Sequence, residues 1–251
     1  MGIFTSLHLT NVSLIPAVTR SVPGSETYLL MTREIYQTTF TEPLLVALPV
    51  LAHIGSGVAL RLLRYGQNKR RYGGATPAMY ALHRSRADTN GSQSIRIWPQ
   101  LSYISISGYA FTVFYSAHVF MNRVLPLAVE GDSSNIGLGY VAHGFARHPA
   151  LARIAYLGLI AVGSGHMVWG LAKWLGSAPS TSGWQANAKA GALVDKATRK
   201  QRKRKWLSVQ AAVLGSVLAW AVGGMAVVSR GGLQDGWLGK VYDDLFSRVG
   251  F

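Results

Sequence analysis

The sequence predicts an all-α, polytopic membrane helical bundle with five transmembrane helices. The chain has 251 residues, of which 49% are hydrophobic and only 14% are charged. Soluble domains carry about 25% charged residues. The apolar residues are also gathered into blocks of roughly 20, the length that a helix needs to cross the hydrocarbon core of a bilayer. We therefore interpret residues 1–251 as a single transmembrane domain.

Five apolar blocks predict the spans in chain order. The first, residues 2–19, is barely long enough to cross a bilayer. The second begins at Pro43, a residue suited to the first turn of a helix. Spans are predicted at about residues 2–19, 43–63, 103–124, 150–174 and 206–228. Residues 27–40, 139–149 and 236–251 are expected to form short interfacial segments.

The charged residues predict the orientation of the spans. Residues 65–98 and 176–205 are strongly basic, whereas residues 20–42 and 127–149 carry nearly balanced charge. Five spans place both basic loops on the same side, as the positive-inside rule requires. The net charge of +15 is thus interpreted as a topology signal and an attraction to anionic lipid. No nucleic-acid partner is expected.

The residue types present restrict the chemistry. The chain has no cysteine, which excludes disulfides, iron–sulfur ligation and thiolate-bound haem. The predicted spans contain neither aspartate nor glutamate and no set of residues for nucleophilic or acid–base catalysis. We therefore favour a protein that is not an enzyme. His83, His143 and His148 are interpreted as polar surface residues in loops.

An internal repeat relates the first two spans to the next two. Eight residues separate His8 from Pro16, and eight separate His118 from Pro126. A serine stands two positions before each of these two histidines. The second and fourth spans share a His-x-x-x-Gly pattern, which begins at His53 and at His166. The sequence therefore predicts two repeated helix pairs plus a fifth helix.

The four histidines of these spans define a candidate cofactor site. At about 1.5 Å per residue, His53 and His166 lie roughly 10–12 Å from the basic side, and His8 and His118 lie at a similar depth from the other side. This arrangement suits up to two b-type haems, each held by two axial histidines between facing helices. The alternative is that each histidine makes an ordinary hydrogen bond between helices.

Cations near the membrane boundaries are candidates for the haem propionates. Arg61 and Lys173 lie on the basic side, and Arg123 lies on the other side. Small residues next to the histidines would let a macrocycle approach the backbone, although such residues are also common where helices pack. The predicted cofactor-binding set is His8, His53, His118, His166, Arg61, Arg123 and Lys173.

The four-histidine pattern resembles the cytochrome b membrane anchors of succinate dehydrogenase and fumarate reductase. His8, His53, His118 and His166 occupy the matching positions, and the stretch HIGSG at residues 53–57 resembles the H-x-x-[ST]-G signature of that family. This resemblance implies pairing of the first histidine with the third and of the second with the fourth, around two b haems.

A second resemblance covers nearly the whole chain. The stretches SLHLTNVSLIP, LAHIGSGVALRLLR, ISGYAFTVFYSAHVFMNRVLP, GSGHMVWGLAKWLG, RKRKW and GWLGKVYDDLF are similar to the fungal mitochondrial outer-membrane adaptor family. This resemblance implies a role in mitochondrial lipid homeostasis and organelle contact sites, with membrane lipids and a lipid-transfer protein as partners. It also implies an outer-membrane location, with loops 65–98 and 176–205 on the cytosolic side.

One departure from the adaptor family concerns that protein partner. The family recruits the lipid-transfer protein through a P-x-P motif in a cytosolic N-terminal tail, and this sequence contains no P-x-P motif and no tail before its first apolar block. Either the gene model is truncated or this member does not recruit that partner. We therefore expect a mitochondrial membrane protein of lipid homeostasis with a haem-capable bundle. The alternative is a quinone-linked membrane cytochrome b that carries electrons.

Overall fold

The computed structural model describes residues 2–72, 98–99, 101–178 and 196–250, and these residues form helices joined by short connections, without a strand. The chain divides into two compact units. One comprises residues 1–42 and 102–251, and the other comprises residues 43–101. The predicted all-α class is therefore confirmed for the described part of the chain.

Two long helices of the larger unit share an unusual irregularity. Helix α1 runs through Gly2–Leu9, a π-helical segment at Thr10–Leu14, and Ile15–Thr19. A later helix, α4, repeats this order with Tyr103–Val119, a π-helical Phe120–Val124, and Leu125–Glu130.

The cause of this irregularity is a proline placed two residues after each π segment, at Pro16 and Pro126. A proline lacks an N–H and its ring collides with the carbonyl four residues earlier. Those carbonyls belong to Val12 and Asn122, inside the two π segments. The matching positions of Pro16 and Pro126 in the sequence therefore correspond to the same backbone feature in both helices, a π segment followed by a proline. The predicted repeat of complete helix pairs stays a prediction.

The other helices follow in chain order. Helix α2 is Val22–Tyr36. Helix α3 starts with a π segment, Glu42–Ala47, and continues as Leu48–Tyr72. Helix α5 is Leu138–Arg147 and helix α6 is Pro149–Trp174. Helix α7 comprises Lys196–Trp220, the π segment Ala221–Met225 and Ala226–Val228, and helix α8 is Gly236–Ser247.

Helices α4 and α6 pack closely because glycines leave room for aromatic rings. A Cβ atom at Gly158 would overlap the ring of Phe114, and one at Gly163 would lie 2.9 Å from Phe111. On its other side α6 packs against α7 through a small apolar cluster of Trp169, Ala172 and Val209.

Helix α7 also packs against α1, where their π segments meet. The Ser13 hydroxyl donates to the carbonyl oxygen of Ala219 at 3.3 Å. A Cβ atom at Gly224 would overlap the carbonyl oxygen of Val12, and one at Gly223 would lie 3.2 Å from the oxygen of Ser13. Glycine at these two positions therefore permits backbone-to-backbone contact between the helices.

A polar cap closes one end of the larger unit. We use this name for α2, α5, α8 and the connection 131–137. Its two apolar centres are Val22, Leu29, Leu138, Ala142 and Val228, and Leu125, Ile136, Tyr140, Tyr242 and Leu245. The predicted interfacial segments are thus helical. One face of α8 packs on the protein, since Tyr242 and Leu245 are fully buried, and its contact with the membrane surface stays a prediction.

Four of the described helices are long and apolar enough to cross a membrane: Glu42–Arg70, Tyr103–Glu130, Pro149–Trp174 and Lys196–Val228. The prediction of five spans was wrong in this respect, since residues 2–19 do not qualify. Helix α1 ends after 18 residues, about 27 Å, at Arg20 in a left-handed conformation. It also carries two polar residues, Asn11 and Ser13, whose side chains are buried against other helices.

The smaller unit consists mainly of α3. Along it, Arg61 donates to the carbonyl oxygen of Pro99 at 2.7 Å. The ring of Tyr65 stacks on Trp98 with centroids 4.3 Å apart. These contacts hold the residues just before α4 against the basic half of α3.

Candidate functional site

Two of the four predicted histidines face each other inside the larger unit. The ring centroids of His8 on α1 and His118 on α4 lie 6.1 Å apart, with an angle of 66° between the ring planes. Both side chains are half-buried. Each of the two residues lies eight positions before the proline of its helix.

Aromatic and amide groups surround this histidine pair. Phe4 stacks on His8 at 5.3 Å, and the ring of Tyr156 meets His118 edge-on at 5.8 Å. The Asn122 amide donates to the backbone oxygen of His118 at 2.8 Å, and it lies 3.4 Å from Nδ1 of that ring. These contacts restrict the orientation of His118.

Two imidazoles that face each other between helices have the donor chemistry that a b-type haem requires. A histidine ligand commonly donates its second ring N–H to a neighbouring acceptor, whereas the group beside Nδ1 of His118 is the amide nitrogen of Asn122, which is itself a donor. His8 and His118 would hold the haem, whose iron would supply one-electron chemistry.

His166 has a different environment. Its Nδ1 lies 3.2 Å from the carbonyl oxygen of Ile104 on α4, and 3.5 Å from the Ser107 hydroxyl. The ring lies over Gly108, where a Cβ atom would approach it to 3.0 Å. This is the interhelical hydrogen bond expected of a membrane histidine. The described contacts of His166 are those of the packing alternative, and its role as a haem ligand stays a prediction.

The remaining predicted site residues lie in varied surroundings. His53 is exposed on α3 in the smaller unit, so its pairing with His166 stays a prediction. Arg61 binds the backbone of Pro99, and Lys173 is exposed in the last turn of α6. Arg123 forms an ion pair with Glu42 and donates to the Ser133 hydroxyl. That guanidinium already has a carboxylate partner, which a propionate would have to replace.

Larger metal-ligand clusters are absent from the described residues: no group of three or more histidine, aspartate or glutamate side chains is placed to hold a metal ion. A bis-histidine haem needs only two protein ligands, so His8 and His118 are the relevant pair.

Charged side chains of α2 organise the polar cap. Arg33 donates to the carbonyl oxygens of Ile136 at 2.8 Å and Ser133 at 2.7 Å. Glu26 accepts the backbone N–H of Gly139, at 3.1 Å, in the first turn of α5. A carboxylate there complements the positive end of the helix dipole. Burial nevertheless raises the pKa of Glu26, which these backbone hydrogen bonds only partly oppose.

His143 is a residue whose role the sequence interpretation missed. It was assigned to a surface loop, but it lies on α5 with 1% of its surface exposed. Its Nε2 donates to Asp243 of α8 at 2.9 Å, and its Nδ1 accepts the backbone N–H of Gln234 at 3.0 Å. The i, i+4 spacing from Arg147, which also binds Asp243, could have indicated a shared partner.

Together these helices define an integral membrane protein with a polar cap on one side. Residues 113–233 match the family model described as MDM10-complementing protein 1, transmembrane domain. The match begins within α4, includes α5, α6 and α7, and covers slightly less than half of the chain. It supports the resemblance to the mitochondrial adaptor family. No curated protein and no solved structure matches the chain, so the resemblance to cytochrome b anchors stays a prediction.

Proposed function

We propose that this chain is a non-enzymatic mitochondrial membrane protein of the adaptor family that acts in lipid homeostasis at organelle contacts. The match of residues 113–233 to the transmembrane domain of MDM10-complementing protein 1 carries this proposal. Further support comes from the four helices long enough to span a bilayer. The proposed location is the outer membrane, with loops 65–98 and 176–205 in the cytosol.

The proposed partners are membrane lipids and, at contact sites, a lipid-transfer protein. The polar cap is not the proposed docking point for that protein, because the basic loops are the segments assigned to the cytosol. Since this sequence has no P-x-P motif, recruitment through that motif is not proposed for the chain as given.

Complementation tests the adaptor proposal. The chain should restore growth and mitochondrial shape to cells that lack MDM10, and its loss in the native host should change mitochondrial phospholipid composition. A version without α7 and α8 is the negative control, because it lacks the helix that packs on both α1 and α6. An unchanged phospholipid profile, together with no rescue by a protein that reaches mitochondria, would contradict the proposal.

A second candidate function is haem binding by the same bundle. We propose one b-type haem between His8 and His118, supported by the two imidazoles that face each other between α1 and α4. A second haem, between His53 and His166, is the further expectation from the sequence. A quinone-linked electron carrier is the corresponding alternative to the adaptor role.

Spectroscopy of the purified protein tests haem binding. A Soret band and a pyridine haemochrome are expected, and His8→Ala and His118→Ala should each remove the same centre because each takes one axial ligand. His148→Ala is the matched control, since this histidine follows α5 and packs against Phe246 of α8, away from the pair. Absence of haem from protein made with ample haem supply would exclude this function. Reduction by a quinol would separate an electron carrier from a structural haem.

A further inference from the structure

A groove of about 300 Å³ opens between α6 and α7 at the end of the bundle opposite the polar cap. Each helix contributes one face, with residues spaced i, i+3, i+4 and i+7. The α6 face is Val168, Leu171, Ala172 and Leu175, and the α7 face is Lys205, Ser208, Val209 and Ala212, with Ser177 from the following connection.

The polarity of the groove changes along its length. Lys205, Ser208 and Ser177 lie near its outer end, and Ala212 lies about 10 Å further along α7. The deeper part is lined by apolar side chains such as Leu171 and Val209. The serine hydroxyls already donate to backbone oxygens, Ser177 to Ala172 at 3.0 Å and Ser208 to Lys205 at 2.8 Å. Lys205 is therefore the charged donor of this groove.

The charged residues described at the start of α7, next to the outer end of the groove, are all cations. Lys205 is the last of seven cations in the first ten residues of α7, and it directly precedes Trp206 and the apolar span. None of the described residues that line the groove is a carboxylate. The ion pairs found among the described residues involve Arg123, His143, Arg147 and Arg248, and none involves Lys205. A cation at the boundary above an apolar groove is complementary to a lipid phosphate above its acyl chain.

We propose that this groove binds one anionic phospholipid of the surrounding leaflet. The lipid phosphate contacts the Lys205 ammonium, and an acyl chain lies along Leu171, Val209 and Ala212. This site needs only that α6 and α7 span a bilayer. It depends neither on haem binding nor on the adaptor role, so it can fail or succeed independently of both.

Lipid retention measured by native mass spectrometry tests this site. The purified full chain is mixed in detergent with equal amounts of phosphatidylglycerol and phosphatidylcholine, and one phosphatidylglycerol is expected to remain bound preferentially. Lys205→Gln should lower that retention about fivefold, which corresponds to the roughly 1 kcal/mol that one lysine contributes near an anionic lipid surface. Lys200→Gln removes the same charge from the same basic run but outside the groove, and should leave retention nearly unchanged.

A second pair of variants tests the apolar part without changing charge. Ala212→Phe fills the groove and should displace the lipid, whereas Ala211→Phe, on the neighbouring exposed face, should not. Equal effects of Lys200→Gln and Lys205→Gln would show a diffuse basic attraction and overturn the proposal. Equal retention of both lipids, or full retention by Ala212→Phe, would also overturn it.

Discussion

At the scale of single residues, His118 and His143 differ in their surroundings. His118 lies inside a predicted span beside Tyr156 and Asn122, opposite His8. His143 lies in the polar cap, where both ring nitrogens have partners on other segments. The Gln234 bond requires Nδ1 to be an acceptor, so the neutral ring carries its proton on Nε2 and directs it at Asp243. His143 is therefore a structural link between α5 and α8.

We predict that His143→Ala weakens the polar cap. The substitution leaves the Gln234 N–H and the Asp243 carboxylate without this partner, and an unsatisfied buried polar group costs about 1–3 kcal/mol. A lower thermal unfolding midpoint in detergent is expected. Lys240→Ala, an exposed position on α8, is the control and should change the midpoint little. Equal midpoints for the two variants would show that the buried bond is not stabilising.

We predict that the stability of the fold falls at acid pH because of Asp243. Arg147, which donates at 2.8 and 2.6 Å, and then His143 hold the pKa of this carboxyl at about 2, below its ordinary value of 3.8. A carboxylate whose pKa is depressed on folding contributes stability above pH 3.8, and that contribution is lost as the pH falls through about 2. The Asp243→Asn variant should lose less stability than the wild type over this interval. Unfolding midpoints measured across it check the difference, and parallel curves would contradict the assignment.

At the scale of elements, prolines and glycines determine how helices bend and approach. Pro16 and Pro126 each follow a π segment in helices α1 and α4. The π segment of α7 has no proline but contains Gly223 and Gly224, at the contact with α1. Irregular backbone is tolerated within a membrane protein where neighbouring helices cover it. Here the π segment of α7 covers the π segment of α1.

We predict that alanine substitutions at two glycines of α7 change the stability of the protein in opposite directions. A Cβ atom at Gly224 would overlap the carbonyl oxygen of Val12, whereas Gly215 has open space at that position. Gly224→Ala should therefore separate α7 from α1 and lower stability. Gly215→Ala should raise stability slightly, by up to about 1 kcal/mol from helix propensity. Thermal unfolding of both variants in the same detergent checks these signs, and stabilisation by Gly224→Ala would refute the close contact.

At the scale of the whole molecule, the helix directions within the larger unit separate a polar and a basic side. Helix α4 runs towards the polar cap, α6 runs away from it, and α7 returns to it. The end of α6 and the basic start of α7 thus lie opposite the cap. Most of the basic loop 176–205 lies outside the described residues. The membrane side that the basic start of α7 faces stays a prediction from charge.

The absence of cysteine makes this topology testable by single-cysteine labelling. Ser134→Cys marks the connection within the polar cap, and Gln201→Cys marks the basic part of α7. A membrane-impermeant maleimide applied to intact mitochondria should label Gln201→Cys, with Ser134→Cys labelled only after permeabilisation. Both positions are exposed, so labelling in detergent is the control for reactivity. The reverse pattern would contradict the cytosolic assignment of the basic loops.

The sequence by itself determined the helical membrane class, four of the spans and the matching positions of Pro16 and Pro126 after a π segment. These follow from local properties, since apolar block length, charge and proline spacing act within one segment. Only the tertiary structure decided that α1 contributes polar residues to helix contacts, that His143 is buried, and that α6 and α7 leave a groove ending at Lys205. Each of these depends on segments far apart in the chain, such as α5 with α8, whose proximity no local pattern encodes.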